Sequence, residues 1–274
     1  MKKILCILII LSFGVTFAQR TPKIKGNRNV IEVLEPLSAF HTIELKDDLQ
    51  INLDDSASES YSIIGDDNLI DILRFKVVDS TLTISSFYKI TSKKQLDITV
   101  NYRQLKSLIV RNGSIVTNQR IQADELSVMS SGTARIELSA NAAIVGLSLE
   151  ENSKGNFNLE ADSLNLALKD KASVQLYGVT GQHQVQMEGN TTADLEGTSD
   201  SLHIKLKGSP NLKAQKLESA MIRLETTETS VARIYALREL ELLASGASRT
   251  YLYGTPSIII TSFEDRAELH KEQD

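Results

Sequence analysis

The sequence predicts an all-β chain wound as a single-stranded β-solenoid with short corners. Three observations carry this. Apolar residues alternate with polar ones over most of the chain, as in Ile43, Leu45, Leu49, Ile51 and Leu53, which share one parity; such a period of two marks strands with one buried face. A phrase of small, any, apolar, any, apolar residues then recurs. It begins at positions 134, 155, 172, 193, 210, 232, 248 and 267, with a mean spacing of about 19 residues. Finally, no stretch beyond the first residues has a helical period. A unit this short cannot bury its apolar face alone, so the units stack and their inward residues form one long core.

Taken in order, the chain opens MKKILCILIILSFGVTFAQ. Lys2 and Lys3 precede an apolar run from Ile4 to Phe17, and Thr16 and Ala18 place small residues where a signal peptidase cuts. Residues 1–18 therefore predict a cleaved signal peptide. The run is shorter than the roughly 20 apolar residues of a membrane span, so no stable span is expected in the mature chain. Residues 19–29 predict a flexible leader, basic through Arg20, Lys23, Lys25 and Arg28. Residues 30–105 predict the N-terminal β part of the solenoid, with longer strands separated by the acidic pairs Asp47 and Asp48, Asp54 and Asp55, Asp66 and Asp67. Residues 106–274 predict repetitive rungs of about 19 residues. Within them, Ala172 joins Ala134, Gly155, Ala193 and Ala232 in one row of small residues. Alternation sends Ala172, Val174 and Leu176 inward and Ser173, Gln175 and Tyr177 outward. A propeller would need repeats of roughly 40 residues with aromatic signatures, and this chain has no Trp.

Composition narrows the partners. Loss of Lys2 and Lys3 with the leader leaves 28 basic residues against 35 acidic, a formal charge of −7. That argues against nucleic acid. The single cysteine, Cys6, lies inside the apolar run, so the mature chain has no disulfide and no thiol nucleophile, and packing alone must hold it.

The phrases AFHTIELKDDLQINL, YSIIGDDNLIDIL, VVDSTLTIS and SVMSSGTARIEL, in that order, resemble the head GIN domain family of autotransporter adhesins. The residues concerned are Phe40, Ile43 and Leu45, then Ile64 to Leu69, then Leu82 to Ile84. The resemblance implies a right-handed parallel β-helix-like fold at the cell envelope. It carries over no catalytic residue. Two family features are missing: there is no literal Gly-Ile-Asn, and the Ser-Gly corners thin out after Gly132.

Candidate chemistry is sparse. His41, His183, His203 and His270 lie far apart in sequence, which predicts solvated or turn histidines, with no metal ligand among them. Asp66, Asp67 and Asn68 offer too few oxygens for a Ca²⁺ loop and suggest an acidic turn. No cofactor, metal or catalytic set is expected. Tyr177, Tyr235 and Tyr253 each follow an inward apolar residue. They predict an outward strip for ligand contact, with Tyr235 and Tyr253 on successive rungs. The leading expectation is an exported, non-enzymatic adhesin or binding scaffold for a surface glycan or protein, periplasmic or extracellular. Set against it stand a carbohydrate-active lyase or hydrolase of the β-helix type and a purely structural envelope protein. The sequence leaves oligomeric state open.

Overall fold

A computed structural model describes residues 22–273. The expected signal peptide, Cys6 and the cleavage point after Ala18 lie outside the described residues. The elements are β1 (Lys23–Lys25), β2 (Val30–Pro36), β3 (Thr42–Leu45), β4 (Gln50–Asp55), β5 (Ser60–Asp66), α1 (Asp67–Ile70), β6 (Leu73–Val78), β7 (Thr81–Ser86), β8 (Lys89–Ser92), β9 (Leu96–Tyr102) and β10 (Ser107–Val110). The rungs follow as β11 (Ser114–Ser130), β12 (Arg135–Leu149), β13 (Lys154–Leu168), β14 (Ser173–Gly189), β15 (Thr192–Gly208), β16 (Asn211–Thr226) and β17 (Val231–Ala244). The last coil holds β18 (Arg249–Tyr253), β19 (Ser257–Phe263) and β20 (Glu268–Lys271).

From β11 to β17 each rung is one long bent strand, paired in parallel with its neighbours in the stack. In β14 the bend falls at Gly181. Val174, Leu176 and Thr180 are buried ahead of it, and His183, Val185 and Met187 after it, so the inward parity flips at the bend. Corners of two to four residues separate the rungs from β11 to β18. Most corners hold one residue with positive φ, at positions 132, 151, 170, 189, 208, 228, 246 and 265. Four of these are Gly, for which that region is free of steric cost. The other four are Glu151, Asp170, Glu228 and Asp265. Three of these carboxylates satisfy the corner of the preceding rung. Glu151 accepts from the Gly132 amide at 2.5 Å, Asp170 from Glu151 at 3.2 Å and Asp265 from Gly246 at 3.0 Å. The Ser-Gly corners thin out because acidic residues take over the same backbone position.

Pairing register corrects the row of small residues. Ser173 pairs with Lys154 and Thr192, so Ala172 stacks with Ser153 and Thr191, in line with Ala134. All four are buried. Gly155, Ala193 and Ala232 belong to a different column, two residues further along each rung. That column runs from Ile98 through Ile51, Ile115, Ile136, Gly155, Val174, Ala193, Leu212, Ala232 and Thr250 to Leu269. Gly155 is small because the Phe157 ring lies over it: a Cβ there would sit 2.1 Å from the ring edge. The core is continuous from Phe40 to Leu252, with rungs roughly 4.8 Å apart.

The N-terminal third departs from a plain coil, and its strands are shorter than the sequence texture suggests, four to seven residues from β2 to β9. β3 and β4 stack in parallel under β10 and β11. The chain then runs back, and β7 and β9 form the level beyond β3 and β4. The excursion is closed by antiparallel pairs: β2 with β5, β5 with β9, β6 with β7. Alternation fits parallel and antiparallel ladders equally well, so it carries no trace of this doubling back.

From Lys23 onward the leader docks on the body of the protein. β1 pairs with β8. Asn27 and Asn29 donate their amides to the Asp67 carboxylate, the latter at 2.8 Å, and Asn68 donates to the Lys25 carbonyl at 2.9 Å. The bonds from Asn29 and Asn27 hold the Asp67 carboxyl below its ordinary value. Gly26 lies directly over the buried Asp66 carboxylate: an added Cβ would sit 1.8 Å from its Oδ2. Gly26→Val is expected to undock β1 while leaving the rungs intact. Limited trypsin digestion checks this. The variant should be cut at Lys23 and Lys25 before any other site, with the melting temperature of the stack unchanged. Equal protection of Lys23 and Lys25 in the two proteins would refute the docking.

Candidate binding face

The first half of each rung presents its outward side chains as a shallow, polar face. The ladders place Glu137, Asn156, Gln175 and Asp194 in one column, and Ser139, Asn158, Tyr177 and Glu196 in the next. Two adjoining clefts of about 530 and 540 Å³ lie over these columns and share Glu137, Asn156, Gln175 and Asp194. The alternation that drives Val174 and Leu176 into the core turns Gln175 and Tyr177 to solvent. Tyr177 is 50% exposed.

Tyr177 stands between two anchored neighbours. Asn158 accepts from Arg120 at 3.5 Å, and Arg120 also lies 3.7 Å from Glu160. On the next rung Glu196 accepts from the Lys216 ammonium at 2.7 Å. That bond, with the Glu196 charge, holds Lys216 above its ordinary value. The amides of Asn156 and Gln175 make no side-chain hydrogen bond among the described residues. They are therefore free to serve a ligand: each amide carries two donors and an accepting oxygen.

The three tyrosines do not form one strip. Tyr235 and Tyr253 are ladder partners on successive rungs, both half-buried. Tyr177 lies three rungs earlier, with the Glu196 and Lys216 ion pair on the rungs between. Sequence reasoning passed over Tyr251. Its ring stacks on His270 at 5.1 Å and receives the Arg233 guanidinium at 5.0 Å. It also missed Asn156, Asn158, Asp194 and Glu196, although each sits at the outward parity of its own phrase.

His183 overturns the expectation of solvated histidines. It is 2% exposed, stacked between Leu164 and Leu202 in a column that otherwise reads Leu126, Val145, Leu164, Leu202, Ile222 and Leu240. Neither ring nitrogen has a partner among the described residues, and burial lowers its pKa to about 4. His203 and His270 are exposed, and His270 bonds Glu268 at 2.9 Å. Among the described residues no three His, Asp or Glu side chains are grouped to hold a metal. The IGDDNL phrase, expected as an acidic turn, ends β5 and begins α1, and its Asp67 and Asn68 hold the leader.

Comparison with known proteins adds three findings. A family model described as "Putative auto-transporter adhesin, head GIN domain" matches residues 39–180 and 143–256. Solved structures share the fold. A "putative adhesin" from Parabacteroides merdae has 16% identity and a TM-score of 0.61, covering 92% of this chain and 98% of its own. A "putative adhesin" from Parabacteroides distasonis has 16% identity and a TM-score of 0.62, covering 91% and 100%. A "putative lipid binding protein" from the same species has 19% identity and a TM-score of 0.57, covering 92% and 98%. No curated protein matches the sequence.

Proposed function

Because the chain belongs to the family described as "Putative auto-transporter adhesin, head GIN domain", we propose that it is an exported binding scaffold of the cell envelope, and that its polar face holds an extended glycan. The observation that carries this is the half-exposed Tyr177 ring beside the amides of Gln175, two residues before it on the same strand, and of Asn156, the ladder partner of Gln175, which make no side-chain hydrogen bond among the described residues. A sugar ring offers C–H groups to an aromatic face and hydroxyls to planar amides and carboxylates. The clefts are open and shallow, whereas small-molecule sites enclose most of their ligand. A chain lying across several rungs fits this shape. The corners from β11 to β18 are two to four residues, too short to wall in a carboxylate pair there, and the reading is accordingly non-enzymatic.

The test is calorimetric titration with a panel of soluble glycan oligomers, neutral and acidic. Tyr177→Ala should weaken binding about tenfold, as loss of a stacking contact worth roughly 1.4 kcal/mol would do. Gln175→Ala should weaken it less, and Tyr253→Ala should leave it unchanged. An affinity indifferent to Tyr177, or a panel with no binder, refutes the glycan face; capture of a protein ligand at the same residues would replace it.

A further inference from the structure

We infer that two copies of this chain associate tail to tail through the free edge of β19. The inference is independent of the glycan face. β19 pairs with β17 on one side and with nothing on the other among the described residues. Its sequence, SIIITSF, has no charge and no proline. An exposed, uncharged, apolar edge strand is a template for pairing with another strand, and proteins normally guard such edges with charge or proline.

Three other strands that pair on one side only among the described residues are guarded. β2, paired only with β5, carries Glu32, Glu35 and Pro36. β6, paired only with β7, carries Arg74 and Lys76. β20, paired only with β18, carries Glu268, His270 and Lys271. β19 alone among these lacks any such residue.

The core also runs out at this edge. One inward column passes through Leu82, Ile43, Leu108, Val128, Leu147, Leu166, Val185, Ile204, Leu224 and Leu242, all buried, and ends on Ile260, which is 53% exposed. Ile258 and Phe263 likewise end the columns of Leu240 and Ala244 and stand exposed.

Symmetry and charge select the occupant. A second copy adding head to tail would set β19 against the charged edges of β2 or β6. Two β19 edges meeting antiparallel about a twofold axis near Ile260 place no charges opposite one another. They bring the ends of both cores together, and the contact closes on itself and stops at two.

Sedimentation velocity of the full chain over a wide concentration range tests this. A monomer–dimer equilibrium is expected. Ile260→Lys and Ile260→Glu should each be monomeric at every concentration, because like charges then face each other across the axis. Circular dichroism and melting temperature near those of the parent would show that both variants still fold. The decisive arm mixes them: Lys from one copy facing Glu from the other should restore the dimer. A parent that is monomeric throughout, a dimer unmoved by either substitution, a mixture that stays monomeric, or open-ended polymers would each overturn the proposal.

Discussion

Replacing His183 with leucine is expected to stabilise the protein at neutral pH and to remove most of its sensitivity to mild acid. The column around it is aliphatic above and below, with Leu164 and Leu202 as ladder neighbours. Both ring nitrogens are buried without partners among the described residues. An orphaned buried polar group costs about 1–3 kcal/mol, so leucine, similar in volume and apolar, should recover a gain of that order. For a chain of this size that is a rise of roughly 2–4 °C in melting temperature per kcal/mol.

The pH dependence has a definite sign. The pKa is 6.5 for an exposed imidazole and about 4 here, lowered by burial. The unfolded chain therefore takes up a proton as pH falls through 6.5, while the folded chain stays neutral until pH 4. Stability is full above pH 6.5, declines between pH 6.5 and 4, and the total loss is about 3 kcal/mol. Carboxylates titrate in the lower part of this window, so the informative quantity is the difference between parent and His183→Leu. Urea unfolding at half-unit steps from pH 7.5 to 4 measures it. Parallel curves for the two proteins, or a leucine variant less stable at every pH, would show that the imidazole has found a partner or does not sit in the column.

This histidine also shows how much the sequence discloses. The phrase GQHQVQM puts His183 at the same parity as Val185 and Met187, both buried. The alternation that turns Val174 and Leu176 inward also makes the burial of His183 legible, whereas its spacing to other histidines says nothing of burial. The solenoid itself was legible for the same reason, since every inward column is a consequence of period two repeated at a fixed offset. The offset was blurred because the phrase was aligned on small residues, and small residues occur both in the Ala134 row and two places later in the Gly155 column. The corners, with their positive-φ residues at positions 132, 151, 170 and 189, carry the strict step. Other features could not be read locally. The docking of the leader joins Asn27 and Asn29 to Asp67 across some forty residues. On the candidate face, Tyr177 meets Asn158 and Glu196 only once the register of three rungs is set.

That register can be tested at one corner, where a large loss of stability is expected. Ala172 is 0% exposed and closes the corner after Asp170: its amide donates to the Lys169 carbonyl at 3.1 Å, and its carbonyl accepts from Thr192 at 3.1 Å. Ser153 and Thr191 lie below and above it, both buried. Ala172→Arg drives a long cation into a space sized for a methyl group. Overpacking costs roughly 1–3 kcal/mol, and a charge held there without a partner adds several more. The sum approaches the whole stability of an ordinary domain, about 5–15 kcal/mol. Each rung is held by its neighbours, so the damage spreads along the stack and lowers the melting point of the whole molecule. Ser173→Arg, one residue later, turns its side chain outward and should stay within about 1 kcal/mol, the adjacent Lys154 accounting for a few tenths. Thermal unfolding of the two variants side by side distinguishes the faces. Equal melting points, or a greater loss for Ser173→Arg, would mean that the strand is turned over and that every column drawn through β14 is misassigned.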